Sequence, residues 1–285
     1  MKLKNFNQGI EDLVVWKEKN KLKQRIITAV VAAALFIPLV IIGGWPFTAI
    51  VYAMGTVGLY ELLRMKKLSI FSVPGVLTWI AMVILLLPAE FTTSFERTIG
   101  YTKVEVAFLI VLLLLIYTVL VKNKFTFDDA AFSLFGAMYV GIGFYYLIET
   151  RMAGIEFVVY ALLVIWSTDS GAYFVGRKIG KRKLWPEISP NKTIEGFVGG
   201  IVTAVVIAAI FNVFFPVTSS FAILIGVTII ASIVGQIGDL VESALKRHYD
   251  VKDSGNILPG HGGILDRFDS LLFVLPLLHF LHFVA

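Results

Sequence analysis

The sequence predicts an all-α, polytopic membrane protein of about nine transmembrane helices, with the N-terminus cytoplasmic and the C-terminus outside. Three observations predict it. The mean hydropathy is +0.84, and only 16% of the 285 residues are charged, against about 25% in an average soluble domain. Apolar runs follow one another from residue 26 to the end and leave no polar stretch long enough to build a soluble core. The Lys and Arg residues collect in every second connection between those runs.

Each run must satisfy its own backbone in lipid, which leaves helices for segments of about 20 apolar residues. The approximate spans are 26–43, 47–63, 70–89, 104–121, 130–148, 155–174, 194–215, 219–241 and 270–285. The second and last are short, and Pro38 and Pro74 are expected to kink the first and third. Residues 1–25 carry seven Lys or Arg and no long apolar core. They read as a basic cytoplasmic lead-in rather than a cleaved signal peptide, with Val14, Val15 and Trp16 leaving open a short helix at the membrane surface. Residues 26–285 form one transmembrane domain.

With the N-terminus cytoplasmic, the inside segments hold 22 of the 25 basic residues, and the outside segments hold only Arg97, Lys103 and Arg151. This is a strong inward bias, and a shift by one span would destroy it. The two longest polar connections, 175–193 and 242–269, therefore face the cytoplasm. The net charge of +5 belongs to this topology, and no nucleic-acid partner is expected. There are no cysteines, so disulfides and thiolate metal sites are excluded. No GxxxxGK[ST] or GxGxxG pattern occurs, which removes the P-loop and Rossmann nucleotide sites.

The chemistry gathers in the last cytoplasmic connection and its flank. Asp239, Ser243, Lys246 and Arg247 fall at i, i+4, i+7 and i+8 and so share one helix face. Asp239 lies within a predicted span, where an unpaired charge costs about 2.5–3.5 kcal/mol, so a functional pairing is favoured. Pro259-Gly260-His261-Gly262-Gly263 supplies backbone that approaches a ligand closely and presents N–H groups to an anion. Asp266 and Asp269, at i and i+3, share a face of the turn that follows. Ten of the 31 residues from Asp239 to Asp269 are charged, denser than a solvated loop requires. Carboxylates beside fixed cations and backbone donors suit a magnesium triphosphate.

At these positions the sequence resembles the phosphatidate cytidylyltransferases, or CDP-diacylglycerol synthases. The run Ser243-Ala244-Leu245-Lys246-Arg247, then Lys252-Asp253, Gly255, Leu258-Pro259, His261-Gly262-Gly263-Ile264 and Asp266-Arg267-Phe268-Asp269 matches that family's signature over 27 positions. Ser189-Pro190-Asn191-Lys192-Thr193 with Glu195-Gly196, and Asp169-Ser170 with Ala172-Tyr173 and Gly176, are similar to shorter motifs of the same family. The signature region is 239–269, the second motif loop is 175–196, and the spans before them match only in hydrophobic character.

The resemblance implies that residues 26–285 are catalytic. CTP and phosphatidic acid would give CDP-diacylglycerol and pyrophosphate with Mg²⁺, a second cation being left open. It also implies a homodimer in the cell's inner, cytoplasmic membrane, with the site facing the cytoplasm where CTP meets membrane lipid. Two anionic reactants need neutralisation more than proton transfer. Asp239 and Asp266 are the expected metal ligands, with Asp269 and Asp169 as further candidates. Lys246, Arg247, Lys252 and Arg267 are expected to hold phosphates, and Asp253 to orient Lys252 or a neighbouring cation. His261 either donates to a phosphate oxygen or orders the loop. Lys192 reaches the CTP or the lipid phosphate, and Ser189, Asn191, Ser243, Gly262 and Gly263 complete the substrate contacts. Glu61 either pairs with Arg64 at i+3 or lines the substrate cavity, pairing being favoured, and His279 and His282 are expected to serve packing or interfacial hydrogen bonding. The rivals are a CTP-dependent polyprenol kinase, which shares the nucleotide but not the full signature, and a transporter, whose polar residues would sit at midplane within repeated halves.

Overall fold

The computed structural model describes residues 23–284; the basic lead-in, with its candidate surface helix at Val14 to Trp16, lies outside the described residues up to residue 22. The helices are α1 (Lys23–Ile42), α2 (Gly44–Met65), α3 (Val73–Leu85), α4 (Ala89–Ile99), α5 (Lys103–Leu120), α6 (Phe127–Ala153), α7 (Ile155–Ile179), α8 (Ile194–Phe214), α9 (Phe221–His248), α10 (Leu265–Phe268) and α11 (Leu271–Phe280).

Among the described residues, seven helices (α1, α2 and α5 to α9) are long and apolar enough to cross a membrane. The other two apolar runs are helical but shorter. α3 has 13 residues and α11 has 10, about 20 and 15 Å of rise against a hydrocarbon core of about 30 Å. Ser72 trims α3 at its start by accepting from Gly75 N at 3.2 Å, with Pro74 in the first turn. α11 is shortened because residues 265–268 form the separate turn α10, and because the chain folds back after Phe280 to bury Phe283 and Val284.

The helix starts follow local chemistry. Thr102 and Thr126 open α5 and α6 with capping boxes closed by Glu105 and Asp129. Thr193 and Ser220 cap α8 and α9. Gly43 alone separates α1 from α2, at φ 67, in the left-handed region that glycine enters without steric cost. α6 is the hub and packs on α2, α3, α5, α7 and α11. Val140 and Phe144 of α6 meet Leu59, Leu62 and Leu63 of α2 and Leu272 and Leu275 of α11 in the buried core. Gly136 and Gly143 stand where any side chain would run into Leu62 and Leu272, the small-residue crossing typical of helices in lipid.

Contacts between helix ends sort into two sides. On one, Arg151 at the end of α6 reaches the last carbonyls of α1, Val40 and Ile41, and Thr150 meets His279 of α11 at 3.0 Å. On the other, Lys66 after α2 pairs with Asp129 at the start of α6 at 3.0 Å, and Arg25 and Thr28 of α1 reach Gly260 and Pro259. Like ends meet like ends, as an alternating chain requires.

The all-α expectation needs one correction. Within the polar connection after α7, β1 (Lys183–Trp185) pairs antiparallel with β2 (Ser189–Thr193). The strands are too short to show an alternating hydrophobic pattern. They form because a polar loop's N–H and C=O groups need partners and find them across the turn. This hairpin lies on the same side as Lys66 and Gly260 and delivers Lys192 to α9.

Candidate active site

α9 is the spine of the site. It runs unbroken for 28 residues, about 42 Å, so its last turns outreach a hydrocarbon core of about 30 Å. Asp239, Glu242, Ser243 and Lys246 occupy about two of those turns, and two connected clusters assemble on them.

The first cluster forms around Asp239. Lys192 Nζ donates to its Oδ2 at 2.5 Å and Ser243 Oγ to its Oδ1 at 3.3 Å. Lys192 is held from behind: Thr193 caps α8, and the Glu195 carboxylate accepts from Lys181 N and Arg182 N at the hairpin base. The Lys192 and Asp239 side chains remain 26% and 33% exposed, so the pair is not sealed off by the fold. Asp169 of α7 and Asp269 after α10 lie close enough to feel the Asp239 charge. Burial first, and then that charge, push the Asp269 carboxyl up to about 6. Its Oδ1 accepts from Ser270 N at 2.6 Å.

The second cluster is buried. Lys246 bridges Glu242 at 3.1 Å and Asp266 at 2.6 Å. Asp266 Oδ2 also lies 2.8 Å from each of Ser254 N, Ser254 Oγ and Gly263 N. Burial opposes its charge, yet the Gly263 N–H, Lys246 and Ser254 together hold its carboxyl below the usual carboxylate range. Glu61 reaches in from α2, only 2% exposed. It accepts from Ile264 N and Leu265 N at 3.0 Å each and lies 3.1 Å from Ser254 Oγ. The expected Glu61–Arg64 pair is therefore wrong: three loop donors outcompete an exposed guanidinium one turn away. Gly263 sits under the Glu61 carboxylate and Gly262, at φ +82, under that of Asp266, where any side chain would collide. The signature glycines make room for carboxylates of the protein itself.

Glu242 connects the clusters and was not singled out from sequence. It neighbours Lys246 directly, and the charges of Asp266 and Asp269 both act on it. Its Oε1 is buried and has no partner among the described residues. An acid at i+3 from Asp239 in an apolar helix was the available signal. Ser254 carried none.

Other expected site residues stay apart from these clusters. Arg247, Lys252, Asp253 and Asn191 are exposed, and their side chains make no hydrogen bond or ion pair among the described residues. Arg267 Nε donates to the His261 carbonyl at 2.8 Å, a loop-ordering contact. The His261 ring is held below its usual range by burial and then by Arg267 and Arg25, and its Nδ1 is buried without a partner among the described residues. Ser189 is half-buried opposite Trp185 in the hairpin.

Five carboxylates (Asp169, Asp239, Glu242, Asp266 and Asp269) thus crowd two lysines. Among the described residues no three acids or histidines already surround one point at ligating distance; Lys192 and Lys246 hold Asp239 and Asp266 instead. The excess negative charge and the all-oxygen donor set fit a hard divalent cation such as Mg²⁺.

Comparison with known proteins bears on what such a site does. The family model described as "Cytidylyltransferase family" matches residues 23–285. The chain is 59% identical over 263 residues to the phosphatidate cytidylyltransferase of Bacillus subtilis, covering 91% of this chain and 97% of that one. It is 48% identical over 260 residues to the Staphylococcus haemolyticus protein of the same name, and 46% identical over 260 residues to that of Staphylococcus aureus, covering 91% of this chain and 98% of theirs.

Proposed function

The chain belongs to the cytidylyltransferase family, and we propose that the clusters at the end of α9 are where it transfers the cytidylyl group of CTP to phosphatidic acid. It is a nucleotidyltransferase of phospholipid biosynthesis. An oxygen of the lipid phosphate attacks the α-phosphorus of CTP, the bond to the β-phosphate oxygen breaks, and CDP-diacylglycerol and pyrophosphate result. A phosphomonoester with a second pKa of about 6 is mostly dianionic at pH 7, so the nucleophile needs no strong base.

The observation that carries this reading is the Lys192–Asp239 contact. Two motifs 47 residues apart meet at 2.5 Å at the accessible end of α9. Lys192 and Lys246, parked on carboxylates, are the cations that turn to phosphates when substrate enters, and Ser243 keeps Asp239 oriented meanwhile. Mg²⁺ held by Asp239 and Asp266, with Asp269 and Asp169 beside them, would neutralise phosphate charge and the departing pyrophosphate. The remaining acids favour a second cation. Gly262 and Gly263 keep the loop backbone close to Asp266. Arg247, Lys252 and Arg267 draw the polyanion in from solvent, while Asp253, His261, Ser189 and Asn191 line its approach. The bias of Lys and Arg toward the hairpin side supports a cytoplasmic site in the inner membrane, and the family resemblance supports a homodimer.

The test is transfer of label from CTP to phosphatidic acid by the purified protein in detergent. Label in the cytidine ring is expected in the lipid, with pyrophosphate released. Transfer of the terminal phosphate alone, or no transfer, overturns the reading.

A further inference from the structure

The signature loop has a second face. Residues 255–257 back onto an open cavity of about 630 Å³ lined by α2, the α2–α3 connection and the first half of α3. That volume lies within the range of ligand pockets, about 300–1,000 Å³. Its walls are apolar: Val57 and Tyr60 of α2, Phe71, and Val76 and Trp79 of α3, with Ile257 from the loop. The polar groups nearby are few: Asn256 and the Tyr60 hydroxyl make no hydrogen bond among the described residues, and the others except Arg64 are already paired. Trp79 Nε1 donates to Thr56 Oγ1 at 3.1 Å, and the Glu61 carboxylate is occupied by Ile264 N, Leu265 N and Ser254. A nucleotide base would find few hydrogen-bonding partners there.

One charge remains. Arg64 lines the cavity, is exposed, and makes no side-chain hydrogen bond or ion pair among the described residues. The rim carries Phe71 at 88% exposure and Ile257 at 54%, which suits lipid rather than water. The cavity is thus an apolar slot with a guanidinium at its rim and with Glu61 of the second cluster in its wall.

We propose that this slot takes an acyl chain of the phosphatidic acid, with Arg64 drawing the anionic headgroup in on its way to the clusters. The inference rests on the proposed transfer to phosphatidic acid. It makes Val57, Val76 and Trp79 the residues that set acyl-chain preference. The complementarity is of shape and charge: an apolar tail for the walls, and a phosphate for the cation at the rim.

The full-length protein in detergent, supplied with CTP and phosphatidic acids of short and long chains, tests it. Wild-type protein is assayed first; failure to label lipid there overturns the proposed function, not the slot. With that activity present, Val57→Trp narrows the slot. It should raise the KM for long-chain phosphatidic acid about tenfold relative to the short-chain lipid, with the KM for CTP unchanged. Arg64→Gln should raise the lipid KM for both chain lengths, and Arg64→Lys should restore most of it. A third arm needs no substitution: wild-type protein is photolysed with phosphatidic acid carrying a diazirine in mid-chain, and label is expected on α3 or on residues 255–257. Label confined to the lipid-facing surfaces of α1, α5 and α8, an unchanged chain-length preference in Val57→Trp, or an equal rise in the KM for CTP overturns the assignment.

Discussion

The two acidic clusters on α9 are built from the same residue types and differ in every other respect. Around Asp239, the carboxylate holds one lysine and one serine and stays a third exposed. Around Asp266, the carboxylate is 6% exposed and its oxygens meet a lysine, a serine hydroxyl and two backbone N–H groups. The first arrangement leaves ligating capacity free for an incoming phosphate or ion. The second commits Oδ2 to the loop and leaves Oδ1, which Lys246 holds, for an ion once that lysine turns to phosphate. Stability should therefore separate two aspartates that share a function.

Asp266→Asn should have the largest effect. It leaves Lys246 buried with only Glu242, and breaking a buried pair from one side costs about 3–5 kcal/mol. Because Glu242 remains, the lower end is expected. Thermal unfolding in detergent should show the loss, and cytidylyl transfer should vanish with it. An Asp266→Asn protein as stable as wild type would mean that the bonds around Asp266 do not hold the loop. Asp239→Asn should instead lose about 10²–10³-fold in kcat, the scale of a single electrostatic contact to developing charge. Its unfolding midpoint should barely move, since a part-exposed pair contributes at most about 1 kcal/mol. Equal loss of stability in both variants would erase the distinction between the clusters.

Glu61→Gln sharpens the comparison from outside the signature. The amide keeps one acceptor and loses the other, so one of the loop N–H groups is left unpaired at a cost of about 1–3 kcal/mol. The loop should loosen while the Lys192–Asp239 contact survives. Hydrogen exchange at Ile264 and Leu265 should accelerate, whereas exchange along β2 should not. Acceleration in both places would show that the clusters fold as one unit.

Much of this was legible in the residues. The hydropathy pattern located every apolar helix, and the i, i+4, i+7 spacing from Asp239 placed Ser243 and Lys246 on the face that α9 presents to the site. Length was less legible: α3 and α11 stop short because of Ser72, Pro74 and the turn at residues 265–268, tertiary and capping effects that a hydropathy window averages away. Glu61 was misread because its partners lie about 200 residues away, and a local i+3 cation was the only candidate in view. The glycines of the signature read as room for a ligand. In the fold, Gly262 and Gly263 make room for Asp266 and Glu61, a reason visible only once α2 meets the loop.

The smallest effect is expected at the exposed cations, Arg247 and Lys252. Both belong to the signature by sequence, yet neither side chain makes a hydrogen bond or ion pair among the described residues. Groups in that position act on a polyanion through long-range attraction, which water and salt screen over about 8–10 Å. Arg247→Ala and Lys252→Ala should each raise the KM for CTP by no more than about fivefold, the range of exposed charge pairs, and leave kcat and the unfolding midpoint alone. The increase should shrink as salt rises from 50 to 500 mM, on the order of a twofold shortening of the screening length or more. A loss of 10²-fold or more in kcat, insensitive to salt, would have a different cause. It would mean that residues 249–264 close over bound nucleotide and bring these cations into direct contact with phosphate, so that the loop, not the two clusters alone, completes the site.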